Sequence, residues 1–191
     1  MNGHERRMTY RLTSEWVGLK RQRSFPSIDF LNPNSFSIDW NQCVLIRLLD
    51  SQRPPREESL EFEFVGDSFR KDAPALSAGT RVSSIPEESL LSLSLPLFPK
   101  LFERQTAVIC SGCRPWRKSS AIHFHAIVVP FSDNCGELKY ALGALSHRVS
   151  NETMSPEDAK TEFLEYREGG WSRFGEMAAG EITAPDLIQA A

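Results

Sequence analysis

The chain has 191 residues, 40% of them apolar and with 12 Phe and 4 Trp, which is length and core material for one folded domain plus terminal extension and excludes a wholly disordered chain. Lys and Arg total 22 against 25 Asp and Glu, a net charge of -3, so there is no global basic field of the kind used to neutralise nucleic-acid phosphates, and nucleic acid is not an expected partner. No apolar run approaches the roughly 18 residues that a membrane span requires, and the charged start MNGHERRMTYRLTSEW lacks the apolar stretch of a signal peptide; a cytoplasmic protein without an integral membrane segment is expected.

The charge is unevenly placed. Residues 1–24 carry six basic and two acidic side chains, and residues 151–191 carry three and nine. Along the chain, residues 1–9 read as a polar N-terminus. From Thr9 to about Gln22, Leu12, Trp16 and Leu19 fall at spacings of four and three, the stripe of an amphipathic helix. That stripe serves equally as cover for the protein's own sheet or as the seam of a dimer. Ser24 to Asn34, with Pro26 and Pro33, reads as an ordered connector.

Gln42–Asp50 has the branched apolar content of a strand, followed by a loop rich in proline and charge. Ser59–Val65 alternates, and places Leu60, Phe62 and Phe64 on one face with Glu61 and Glu63 on the other, so an antiparallel hairpin is expected. Ser84, Pro86 and Glu87 resemble a helix start, while Pro96 and Pro99 divide the leucine-rich stretch that follows into short helices. Strands are expected again at Thr106–Cys110, Ser120–Pro130 and Glu137–Leu145. The longest of these puts Ile122, Phe124, Ala126 and Val128 on one face and His123, His125, Ile127 and Val129 on the other, and SDNCGE supplies the turn after it. Beyond Arg148, Ser155 and Pro156 followed by acids predict a helix over about 155–167, stopped by Gly169 and Gly170, with a flexible end after it.

The expected order is helix, two strands, short helices, three strands. The stretches Trp16 to Lys20, Pro26 to Pro33, Phe69-Arg70 and Pro130 to Gly136, followed by LGALSHR, resemble in this order the motifs of an alphaproteobacterial family of single PAS-domain proteins. The resemblance covers about residues 10–148 and leaves 149–191 as an acidic C-terminal extension. It implies an α+β fold with a five-stranded antiparallel sheet, short helices inserted after the second strand and the N-terminal helix packed on the sheet. It also implies a sensory or protein-interaction module of signal transduction, without chemistry of its own, that is commonly a homodimer through the helix before the sheet. A chain with a sensor fold and no output domain would act in trans on a signalling protein partner. The rival reading is a small-molecule carrier or small enzyme whose apolar cavity is lined by Phe62, Phe64, Phe124 and Leu142.

Cys110-Ser-Gly-Cys113 has the spacing of zinc ribbons and of dithiol redox sites. Only isolated Cys43 and Cys135 are left to complete a zinc site, and a pair at the end of a strand lacks the helix start that a reactive dithiol uses, so structural thiols are the favoured reading. His123 and His125 share a strand face that a metal or haem could exploit, although such pairs more often face solvent or a covering helix. The sequence has no glycine-rich phosphate loop, no G-x-S-x-G elbow and no H-E-x-x-H helix. Neither an enzyme nor a bound cofactor is expected.

Overall fold

The computed structural model describes residues 3–21, 23–34, 36–50, 55–117, 120–167 and 170–178. Helix α1 (Gly3–Lys20) leads into β1 (Cys43–Leu48) and β2 (Leu60–Val65). A connecting segment follows with α2 (Asp67–Asp72), 3-10 turns at Val82–Ser84 and Leu90–Leu93, and α3 (Leu97–Arg104). Then come β3 (Val108–Trp116), β4 (Ser120–Ser132) and β5 (Leu138–Ser150), and finally β6 (Lys160–Arg167) and β7 (Gly170–Ala178). Among the described residues these seven strands join one open sheet in the order β2-β1-β5-β4-β3-β6-β7, each paired antiparallel with its neighbours. The fold is α+β, as expected, with seven strands in place of the expected five. No described helix is long and apolar enough to cross a membrane.

Of the two extra strands, β6 occupies residues expected to form a helix and β7 residues expected to be a flexible end. Ser155 and Pro156 do start a helical turn, but it is a single 3-10 turn over Pro156–Asp158. From Lys160 onward burial has a period of two, with Thr161, Phe163 and Glu165 facing the core. That alternation suits a strand, and the open edge of β3 supplies the pairing. Gly112 makes the approach close: a Cβ there would stand 2.2 Å from the Lys160 carbonyl oxygen. The acidic extension is therefore part of the sheet as far as residue 178. The flexible end expected after it lies, for residues 179–191, outside the described residues. At the other end, α1 begins at Gly3, so most of the expected polar N-terminus is helical.

Each face of the sheet is covered by a different element. On one, α3 buries Leu97, Phe98, Leu101 and Phe102 against Val44, Ile46, Phe62, Ile122, Phe124 and Val128. Pro99 is the third residue of α3, where its missing N–H breaks no helical hydrogen bond. Pro96 separates a 3-10 turn from α3, as expected, but Pro99 lies inside α3 and not ahead of it, which corrects the expectation that both prolines divide the stretch. Ser84, however, ends a 3-10 turn and does not cap a helix. On the opposite face, α1 sets Leu12 and Trp16, both essentially inaccessible, against Ile127, Val129, Phe131, Leu142 and Ala144. The Trp16 indole Nε1–H donates to the Pro130 carbonyl at 2.7 Å, so the ring is satisfied as well as buried. Burying two such side chains is worth about 1.5–3 kcal/mol each. Leu19 is half-buried against the same layer. Leu12 and Trp16 are thus used as cover for the protein's own sheet, one of the two readings of the stripe, and Leu19 keeps part of its surface outside that layer.

Candidate functional site

The four residues expected to line an apolar cavity do not meet. In the pairing of β1 with β2, Leu45 stands opposite Phe64 and Ile46 opposite Phe62, so Glu63 is the extra residue of a β-bulge. The bulge reverses the alternation. Phe62 stays with Phe124 in the α3 layer, whereas Phe64 turns to the α1 layer, where Leu142 is buried and where the Trp40 ring meets Phe64 edge-on at 5.9 Å. The expectation that Leu60, Phe62 and Phe64 share a face holds for the first two only. Between α3 and the sheet the packing is tight: a Cβ at Gly143 would lie 3.1 Å from Val44, 3.2 Å from the Phe98 ring and 3.3 Å from Val128.

The cysteine and histidine candidates are likewise distributed. Strand β3 runs through the whole CSGC motif, so Cys110 and Cys113, three residues apart, face opposite sides of the sheet, and the expected position at a strand end is corrected. Cys110 is buried in the α3 layer and donates weakly to the Leu93 carbonyl at 3.6 Å. Cys113 stands opposite His123, and Ser111 opposite His125, on the face that carries α1. This is the orientation expected for the two histidines. Among the described residues no three His, Cys, Asp or Glu side chains are grouped so as to hold a metal ion. Burial pushes the Cys43 thiol up to about 12, helped by the charge of Asp39, and burial pushes the Cys110 thiol up to about 12 as well. Neither provides a thiolate near neutral pH.

Three of the four motif stretches converge at the end of β4. Ser27 forms a parallel bridge with Ser132, the Ser132 amide donates to the Pro26 carbonyl at 2.9 Å, and Trp16 holds Pro130 from the helix side. The connector, ordered as expected, is tied down at this point. In the turn beyond β4, Asp133 accepts from the amides of Cys135 at 2.9 Å and Glu137 at 3.0 Å, and Gly136 adopts φ +85°, which a residue with a Cβ resists. The fourth stretch lies elsewhere: Phe69 is buried in α2 and Arg70 pairs with Asp67 on the surface.

Connector and turn together enclose an open cleft of about 690 Å³, lined in part by Arg23, Ser24, Asp29, Phe30, Asn134 and Cys135. Phe30 is 46% exposed, which leaves a large apolar ring on the surface, and the Arg23 guanidinium lies 5.5 Å from its centroid. An exposed ring, a guanidinium, hydroxyls and a rigid turn are the materials of a recognition surface. The sequence placed the connector and the turn but not their union. Phe30, an aromatic residue between two prolines in a polar connector, is the signal that could have found it. Compared with known proteins, the chain matches no family model, no curated protein and no solved structure.

Proposed function

We propose that the chain is a PAS-like interaction module of cytoplasmic signal transduction that binds a protein partner through the cleft between the connector and the β4–β5 turn. The observation that carries the reading is that two separate motif stretches, Pro26 to Pro33 and Pro130 to Gly136, line this one exposed cleft, while a third is fastened behind it through Trp16 and Pro130. Strands β1 to β5, with α2, the 3-10 turns and α3 inserted after the second and α1 laid across the other face, support the PAS-like part of the reading. The tight packing around Gly143 and the split of Phe62 and Phe124 from Phe64 and Leu142 favour recognition at the surface over carriage of a ligand in the core.

The reading is tested by quantitative affinity capture with the wild-type chain and an Arg23→Glu, Phe30→Ala variant. Both residues are exposed, so the circular dichroism spectrum and melting temperature are expected to be unchanged. Proteins enriched by the wild type are expected to lose most of their enrichment with the variant. Equal capture by both proteins, or capture by neither, overturns the proposal.

A further inference from the structure

A second site, on the other side of the sheet and independent of the cleft, is built at the outer end of β3. Arg114 projects into the α3 layer, where its guanidinium donates to the Ser92 Oγ at 2.7 Å and lies 5.5 Å from the centroid of Trp116. The Ser92 hydroxyl is itself committed as a donor to the Ser89 carbonyl at 2.7 Å, so it offers Arg114 its lone pairs. Arg117 approaches the same indole at 5.3 Å. It pairs with Asp72 Oδ1, while Oδ2 of that carboxylate accepts from the Leu90 amide at 2.6 Å. Asp72 is 10% exposed and held from both oxygens, so it is not available to Arg114.

Among the described residues the charges placed here are two guanidinia and one carboxylate. Among the described residues no carboxylate stands within 4.0 Å of Arg114, although ion pairs are formed by Arg47, Arg70, Arg81, Arg104, Arg117, Arg167 and Arg173. Burial disfavours the charged form of Arg114, an imbalance that an anion would relieve. A guanidinium has five N–H donors in a fixed fork that matches an oxyanion edge, and an aromatic face keeps such a fork in position.

We propose that Arg114, oriented by Trp116 and Ser92 and assisted by Arg117, is a binding site for a small oxyanion, a phosphate or carboxylate group taken from solution. The site goes beyond the cleft reading and gives the module a chemical input: an anion seated here would bind the guanidinia, of which Arg114 is held by Ser92 and Arg117 by Asp72.

The test is an NMR titration of the ¹⁵N-labelled protein, in which the Trp116 indole and arginine Nε–H signals are followed. Sodium phosphate, and separately sodium succinate, are added while chloride keeps the ionic strength constant. Saturable shifts confined to this end of β3 are expected, and the tighter of the two anions identifies the group bound. Arg114→Gln is expected to weaken binding about tenfold by removing the charged fork. Shifts that never saturate, or saturable binding that Arg114→Gln leaves unchanged, overturn the proposal. If Arg114→Gln does not fold, Arg117→Gln, a change at an exposed side chain, decides the matter: a several-fold loss of affinity supports the site, and an unchanged affinity overturns it.

Discussion

Cys43 and Cys110 couple the stability of the protein to alkaline pH. Both thiols have an ordinary value of 9.0 and are pushed by burial to about 12 in the folded chain. Above pH 9 the unfolded thiols ionise while the folded ones keep their protons, so the unfolded state binds fewer protons and stability falls. The slope is about 1.4 kcal/mol per pH unit for each thiol until the folded value is reached. Below pH 9 the contribution is fully present. Urea unfolding at pH 8, 9 and 10 is expected to show the decline, and Cys110→Ala is expected to remove about half of the part due to thiols. Residues of this kind were legible in part: structural thiols were the favoured reading of the Cys110 and Cys113 pair, and the alternation of SAIHFHAIVVP set His123 and His125 on the face opposite Phe124. The Glu63 bulge was not legible. Glu61 and Glu63 look equivalent in SLEFEFV, and only the register against β1 shows that one of them is extra.

At the scale of elements, the β6–β7 hairpin is fastened to α3 through aromatic rings and one buried carboxylate. Lys100 lies 5.1 Å from the Phe163 ring, and Arg104 lies 4.0 Å from the Phe174 ring. Arg104 also binds Glu165 at 2.8 Å, and Arg167 binds the same carboxylate, which is 5% exposed. Burial pushes the Glu165 carboxyl up, but the hydrogen bonds and charges of Arg104 and Arg167 outweigh it and hold the group below the usual carboxylate range. Its contribution is therefore present above an unfolded value near 4.5 and lost as pH falls below it. Glu165→Gln is expected to cost about 1–2 kcal/mol, less than a fully buried pair because both arginines reach solvent. Amide exchange should rise in residues 160–178 more than in β4 and β5, and equal exchange throughout would refute the fastening role. The sequence misread this element for a physical reason. A cap governs one turn, and here the long-range pairing with β3 overrode it.

For the whole molecule, the sheet has no natural end at residue 148. Strand β3 is an interior strand, with β4 on one side and β6 on the other, and its inner face is completed by Phe163. A chain truncated after Ser150 would expose that edge along with the aromatic surface left by Phe163. It is expected to melt at a lower temperature than the full chain and to elute as multimers in size-exclusion chromatography; a monomer with unchanged melting temperature would show the hairpin to be dispensable. The tie between Trp16 and Pro130 bears on how the chain is made. Its partners are 114 residues apart, and the apolar bed of α1 is supplied by β4 and β5. During synthesis at about 5–20 residues per second, the helix therefore leaves the ribosome roughly 6–23 s before its seat exists. For that interval Leu12 and Trp16 face water, a nascent helix whose greasy side is free for chaperones to hold until β4 and β5 arrive.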